Sequence, residues 1–148
     1  MRAVLFSYAN CDSSNYGEMV SDLYYESQGY TRVNVDRVTS LDDPGHHGID
    51  GVYEAPKVYA NDASEYIIVE SKYSTTGTGT LGSSNAGKQM SEDWIEYNLT
   101  KAVGYEKAQI ILKSGYDSIL IHTAPDGTIT VIPIDANGNK LPPIVYDE

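Results

Sequence analysis

Tyr66-Ile67-Ile68-Val69-Glu70-Ser71-Lys72 is the stretch on which the reading of this chain turns. A continuous apolar run of this length predicts a central strand covered on both faces. Its last residues are charged, and strand alternation sends Glu70 and Lys72 to one face and Ser71 to the other. A carboxylate and an ammonium therefore lie side by side at the end of an apolar strand. A simple ion pair on a solvated face is the bland alternative, but the strand is too apolar to be solvated, and a buried charged pair needs a reason to exist. Upstream stands Gly48-Ile49-Asp50-Gly51. By itself Asp50 beside Gly51 reads as a turn residue. If its strand pairs with the Glu70 strand, a second carboxylate joins the first, and two carboxylates that close repel unless one is protonated or a cation sits between them. Hard oxygen donors suit a divalent metal such as magnesium, and such a site suits phosphodiester cleavage.

Outward from this stretch the order of elements predicts an α/β domain, a central mixed β-sheet flanked by helices. Residues 1–13 form an opening segment in which Ala3 to Tyr8 reads as a short strand or as a lead-in. Capping residue types at Asp12-Ser13-Ser14-Asn15 precede an amphipathic helix from about Tyr16 to Gln28, ended by Gly29. Tyr30 to Val38 alternates as a strand, Asp42-Asp43-Pro44-Gly45 as a turn, Ile49 to Glu54 as a second strand, and Ala55 to Ser64 as a polar connection. Residues 75–86, rich in Gly, Ser and Thr, predict a flexible loop, and this loop lacks the Lys-Ser/Thr ending of a phosphate-binding P-loop. Ser91 caps a helix carrying Trp94, Ile95, Leu99 and Val103, which pauses at Gly104; a further helix runs from Tyr105 to Lys113 and stops at Gly115. Ser118–His122 and Thr128–Ile132 flank Pro125-Asp126-Gly127 as a hairpin. Residues 133–148 form a proline-containing tail.

Asp50 followed by Glu70-x-Lys72, each at the end of a short hydrophobic strand, resembles the motif of the PD-(D/E)XK nuclease superfamily, with Ile49 where the motif's proline stands. The opening helix with its embedded Glu18 and the segment Gly87-Lys88-Gln89-Met90-Ser91 resemble further parts of the same pattern, which extends over residues 16 to 132. The wording around His46-His47-Gly48-Ile49-Asp50-Gly51 and Gly87-Lys88-Gln89-Met90-Ser91 is most similar to C-terminal toxin domains of bacterial polymorphic and contact-dependent growth inhibition systems. The resemblance implies a restriction-endonuclease-like core and a metal-dependent endonuclease. Asp50, Glu70 and the carbonyl of Ser71 would hold Mg2+, or Mn2+ or Zn2+. Lys72 would orient or deprotonate water and counter charge in the transition state, and Glu18 and Gln89 would assist. Glu18 reads equally as a solvated helix residue, and Gln89 as a cap of the next helix. The resemblance further implies a domain secreted as part of a larger toxin and acting in the cytoplasm of a target cell. There it would cut DNA, or alternatively tRNA, and a cognate immunity protein would neutralise it.

The charge pulls the other way. The chain has 148 residues and a net charge of −11, whereas nucleic-acid binders are usually basic because phosphate contacts dominate affinity. Residues 1–70 hold four Lys/Arg against twelve Asp/Glu, and residues 71–148 hold six against nine. A local positive track on the later half, including Lys88 and Lys101, would then carry the substrate, with His47 as a phosphate contact beside Asp50. Paired His46 and His47 also suggest a histidine-metal nuclease, but the remaining histidine, His122, falls in the late hairpin. An acidic, non-catalytic inhibitor or nucleic-acid mimic is the alternative of a different class; a housekeeping repair or restriction nuclease is a third. Length favours one domain, the single Cys11 excludes an internal disulfide, and no stretch is long and apolar enough for a membrane helix, so no membrane partner is expected.

Overall fold

The computed structural model describes residues 13–34, 36–43 and 48–145. Its elements in order are α1 (Ser13–Ser27), β1 (Thr31–Arg32), β2 (Gly51–Glu54), β3 (Tyr66–Tyr73), β4 (Ser83–Ser84), β5 (Gly87–Lys88), α2 (Glu92–Val103), α3 (Tyr105–Ser114), β6 (Asp117–Thr123) and β7 (Ile129–Ile134). Strand β3 is the one predicted from its apolar run, and it lies at the centre of a five-stranded sheet ordered β1-β2-β3-β6-β7. β1, β2 and β3 form an antiparallel meander; β6 joins β3 in parallel, and β7 returns antiparallel along β6. A parallel neighbour requires a crossover, which α2 and α3 supply. The domain is thus α/β with a mixed sheet. Among the described residues no helix is long and apolar enough to cross a membrane.

Alternation along β3 divides the interior into two layers. Tyr66 and Ile68 pack with Val52, Leu120, Trp94, Ile95, Leu99 and Ile111 under α2 and α3. Ile67 and Val69 pack with Tyr25, Tyr53, Ile119 and Ile121 on the side of α1. Each fully buried aliphatic side chain contributes about 1.5–3 kcal/mol, so both faces of β3 oppose its displacement. Contact with α1 is close because small residues face the strand: a Cβ on Gly17 would lie 3.6 Å from Tyr73, and Ser71 Oγ donates to Ser21 Oγ at 2.7 Å.

Boundaries depart from expectation where side chains take over from the ladder. Among the described residues, the strand expected over Tyr30 to Val38 pairs at Thr31–Arg32, plus one bond from Val33 N to the Val52 carbonyl. Asn34 then accepts the Val52 amide through its own side chain at 2.8 Å, which ends main-chain pairing. Within residues 75–86, Leu81 is buried and Ser83–Ser84 pair with Gly87–Lys88 as a small ribbon, so the later part of this segment is built into the fold. The tail follows the outer edge of β7, with Leu141 N bonded to the Pro133 carbonyl and Ile144 N to the Val131 carbonyl. The expected strand at Ala3 to Tyr8, Cys11, and Pro44 to His47 lie outside the described residues.

Candidate active site

Register builds the site. Gly51 pairs with Val69 and Val52 with Ile68, so one further step places Asp50 opposite Glu70 on the α2/α3 face. Gly51 is required there: a Cβ would stand 2.7 Å from the Tyr53 ring. Asp50 Oδ2 accepts the Ser71 amide at 2.9 Å. Lys72 Nζ lies 3.4 Å from Glu70 Oε1. Asp50, Glu70 and Lys72, read from separate stretches of sequence, are therefore brought together, with the main chain of Ser71 between them.

The electrostatics of this group are unbalanced. Glu70 is only 4% exposed. Burial raises its pKa well above the ordinary carboxylate value, and the adjacent Asp50 carboxylate raises it further, while Lys72 opposes both. Oε2 of Glu70 is buried without a donor; Asp50 satisfies it only if one of the two carboxyls is protonated. Among the described residues no cluster of three or more His, Cys, Asp or Glu side chains is gathered as a metal-ligand set. The oxygens that converge are those of two carboxylates, Asp50 and Glu70. Their chemistry fits a hard divalent cation, which would satisfy the orphaned Oε2 and cancel the repulsion.

Other expected residues fall elsewhere. Lys101 lines a cleft with Asn98, Asn34, Asp36 and the Gly48-Ile49 turn that leads into Asp50. Lys88 lies in β5, ahead of the N-terminus of α2, whereas Lys101 is in its last turn, and the Lys88 ammonium bonds Asn139 Oδ1 at 3.0 Å. Gln89 Oε1 accepts the Gly82 amide at 3.3 Å and its main-chain N–H bonds the Gly82 carbonyl, closing the β4–β5 ribbon. Glu18 follows Gly17 on α1, the layer across the sheet from Glu70 and Lys72, and is half-buried. His47 lies outside the described residues.

Three residues join the site that sequence reading left out. His122 pairs with Lys72 in the parallel register and is buried, its Nε2 lying 2.8 Å from Ser74 Oγ. Ser74 Oγ–H donates to the Gly77 carbonyl, which leaves Oγ to accept the hydrogen bond from His122 Nε2–H. Arg32 and Asn34 both reach the Asp50 carbonyl. Only the β1–β2 and β3–β6 pairings disclose these neighbours. The loop after β3 closes over Lys72: a Cβ on Gly79 would lie 2.9 Å from that of Lys72.

Comparison of the chain with family models, curated proteins and solved structures returned no match.

Proposed function

We propose that the chain is a divalent-metal-dependent nuclease of the PD-(D/E)XK type whose centre is Asp50, Glu70 and Lys72. The observation that carries the reading is the buried, donorless Oε2 of Glu70 beside a second carboxylate. Charge left unsatisfied in an interior costs several kcal/mol and persists where something else completes it. Asp50, Glu70 and the Ser71 carbonyl would hold the ion, which when bound supplies Lewis acidity and lowers the pKa of water. Lys72, 27% exposed at its side chain, would orient the attacking water and stabilise charge on the phosphate oxygens. Lys101 flanks the turn before Asp50 and would take a neighbouring phosphate.

The net charge of −11 favours an acidic mimic as the second reading. A mimic, however, presents its charge to a basic partner at the surface, whereas Glu70 is buried. The toxin context, with DNA as substrate in a target cell and an immunity protein as partner, rests on the likeness of the segments around Asp50 and Gln89. Incubating the purified chain with plasmid DNA and with total tRNA, each with EDTA or added Mg2+, Mn2+ or Zn2+, tests the reading. Cleavage with metal and none with EDTA is expected, and the preferred polymer identifies the substrate. No turnover under any condition, with tight binding to a basic protein, would establish the mimic instead.

A further inference from the structure

Asp50 stands one residue before β2 begins, where the ladder no longer fixes the main chain. Its carbonyl nevertheless receives two donors, Arg32 Nη2 at 3.2 Å and Asn34 Nδ2 at 3.3 Å. Asn34 acts as a substitute peptide group. Its Oδ1 accepts the Val52 amide at 2.8 Å while its Nδ2 donates to Asp50, so one carboxamide brackets Gly51 from both sides. Arg32 is anchored in turn. Its Nη1 is 2.5 Å from Asp22 Oδ1 on α1, and both side chains are 9% exposed. A guanidinium holds two partners in one plane, so fixing Nη1 on Asp22 fixes the direction of Nη2.

We infer that Arg32 and Asn34 are positioning residues that aim the Asp50 carboxylate at the Ser71 amide and at the space beside Glu70. This rests on the nuclease reading for its consequence but not for its geometry. With the carbonyl held, rotation about the Asp50 side chain is the freedom that remains, and the Ser71 amide takes up Oδ2. Preorganisation of this kind keeps two repelling carboxylates together before a cation arrives.

Two variants separate positioning from folding. Asn34→Asp keeps an acceptor for Val52 but loses the donor to Asp50; Arg32→Lys keeps a cation for Asp22 but loses the fork. In each metal-free variant of the 148-residue chain, hydrogen exchange at the Ser71 amide is expected to quicken about tenfold, while the amide of Ile68 on the same strand exchanges as in wild type. Affinity for Mn2+, measured by calorimetry, is expected to fall about tenfold. Unchanged Ser71 exchange, or Ser71 and Ile68 accelerating together, overturns the inference. A wild-type chain that binds no Mn2+ and cuts nothing sinks the nuclease reading instead, and the Ser71 comparison still decides whether Asp50 is positioned.

Discussion

Asp22 and Glu70 are both buried carboxylates, one on each side of the sheet, and their surroundings differ in kind. Asp22 accepts from Arg32, Arg37 and the Tyr53 hydroxyl. Burial and the neighbouring Asp22 raise the pKa of that phenol, which keeps its proton and remains a donor. Glu70 has a second carboxylate for a neighbour and one ammonium at 3.4 Å. Counting formal charge, Asp22 with two arginines leaves an excess of one positive charge, shared onward with Glu26; Asp50, Glu70 and Lys72 leave one negative. The complete cluster ties α1 to β1 and β2 and explains itself as architecture. The second cluster keeps one negative charge in excess, and the proposed metal reading rests on this asymmetry.

The sharpest way to break the comparison is to remove the incomplete side. Asp50→Ala and Glu70→Ala are each expected to reduce metal-dependent plasmid cleavage by about 10^3-fold or more, with circular dichroism unchanged. Cleavage at the wild-type rate in either variant, at saturating metal, would remove these residues from the chemistry. On the complete side the loss is structural. Asp22→Ala leaves the buried Arg32 guanidinium without its carboxylate, while Arg37 keeps Glu26, so urea unfolding should show destabilisation of about 3–5 kcal/mol; a change below about 1 kcal/mol would mean that the cluster does not brace the fold.

Supplying the proposed cation tests the same contrast from the other direction. At a Mg2+ concentration near 100 times its dissociation constant, wild type should gain about 2.7 kcal/mol, read as a higher Tm, and Asp50→Ala should gain almost none. Equal gains would locate ion binding elsewhere.

The smallest effect concerns pH. Glu70 has a pKa raised in the folded state, so below its unfolded value both states are protonated and no penalty exists. As pH rises towards the folded pKa, the unfolded chain ionises freely while the folded one resists, and stability falls. In EDTA, Glu70→Gln should therefore raise Tm at pH 8 by about 3 °C, the order of shift produced by 1 kcal/mol in a domain of this size, and leave it unchanged near pH 4. A variant less stable than wild type at both pH values would show that the ionised carboxylate is satisfied.

Much of this arrangement was legible along the chain. The apolar run Tyr66 to Val69 marked the central strand, Ser91 and Gly104 the limits of α2, and Gly115 the end of α3, because burial period, caps and breakers act over a few residues. The charged ending of β3 and the lone Asp50 were equally visible, since an acid and a lysine on so apolar a strand conflict with their surroundings. What joined them was not local. Asp50 meets Glu70 only in one register of β2 on β3, His122 meets Lys72 only because the crossover sets β6 parallel beside β3, and Arg32 and Asn34 reach the Asp50 carbonyl only because β1 stops where it does. Sequence by itself marked the longer helices and strands and the residues that were chemically out of place, while the short pairings at Thr31–Arg32 and Ser83–Ser84 were not legible in it. The tertiary structure alone decided their neighbours, because a one-residue slip of a strand sends every side chain to the opposite face, and the packing of both layers together selects the register.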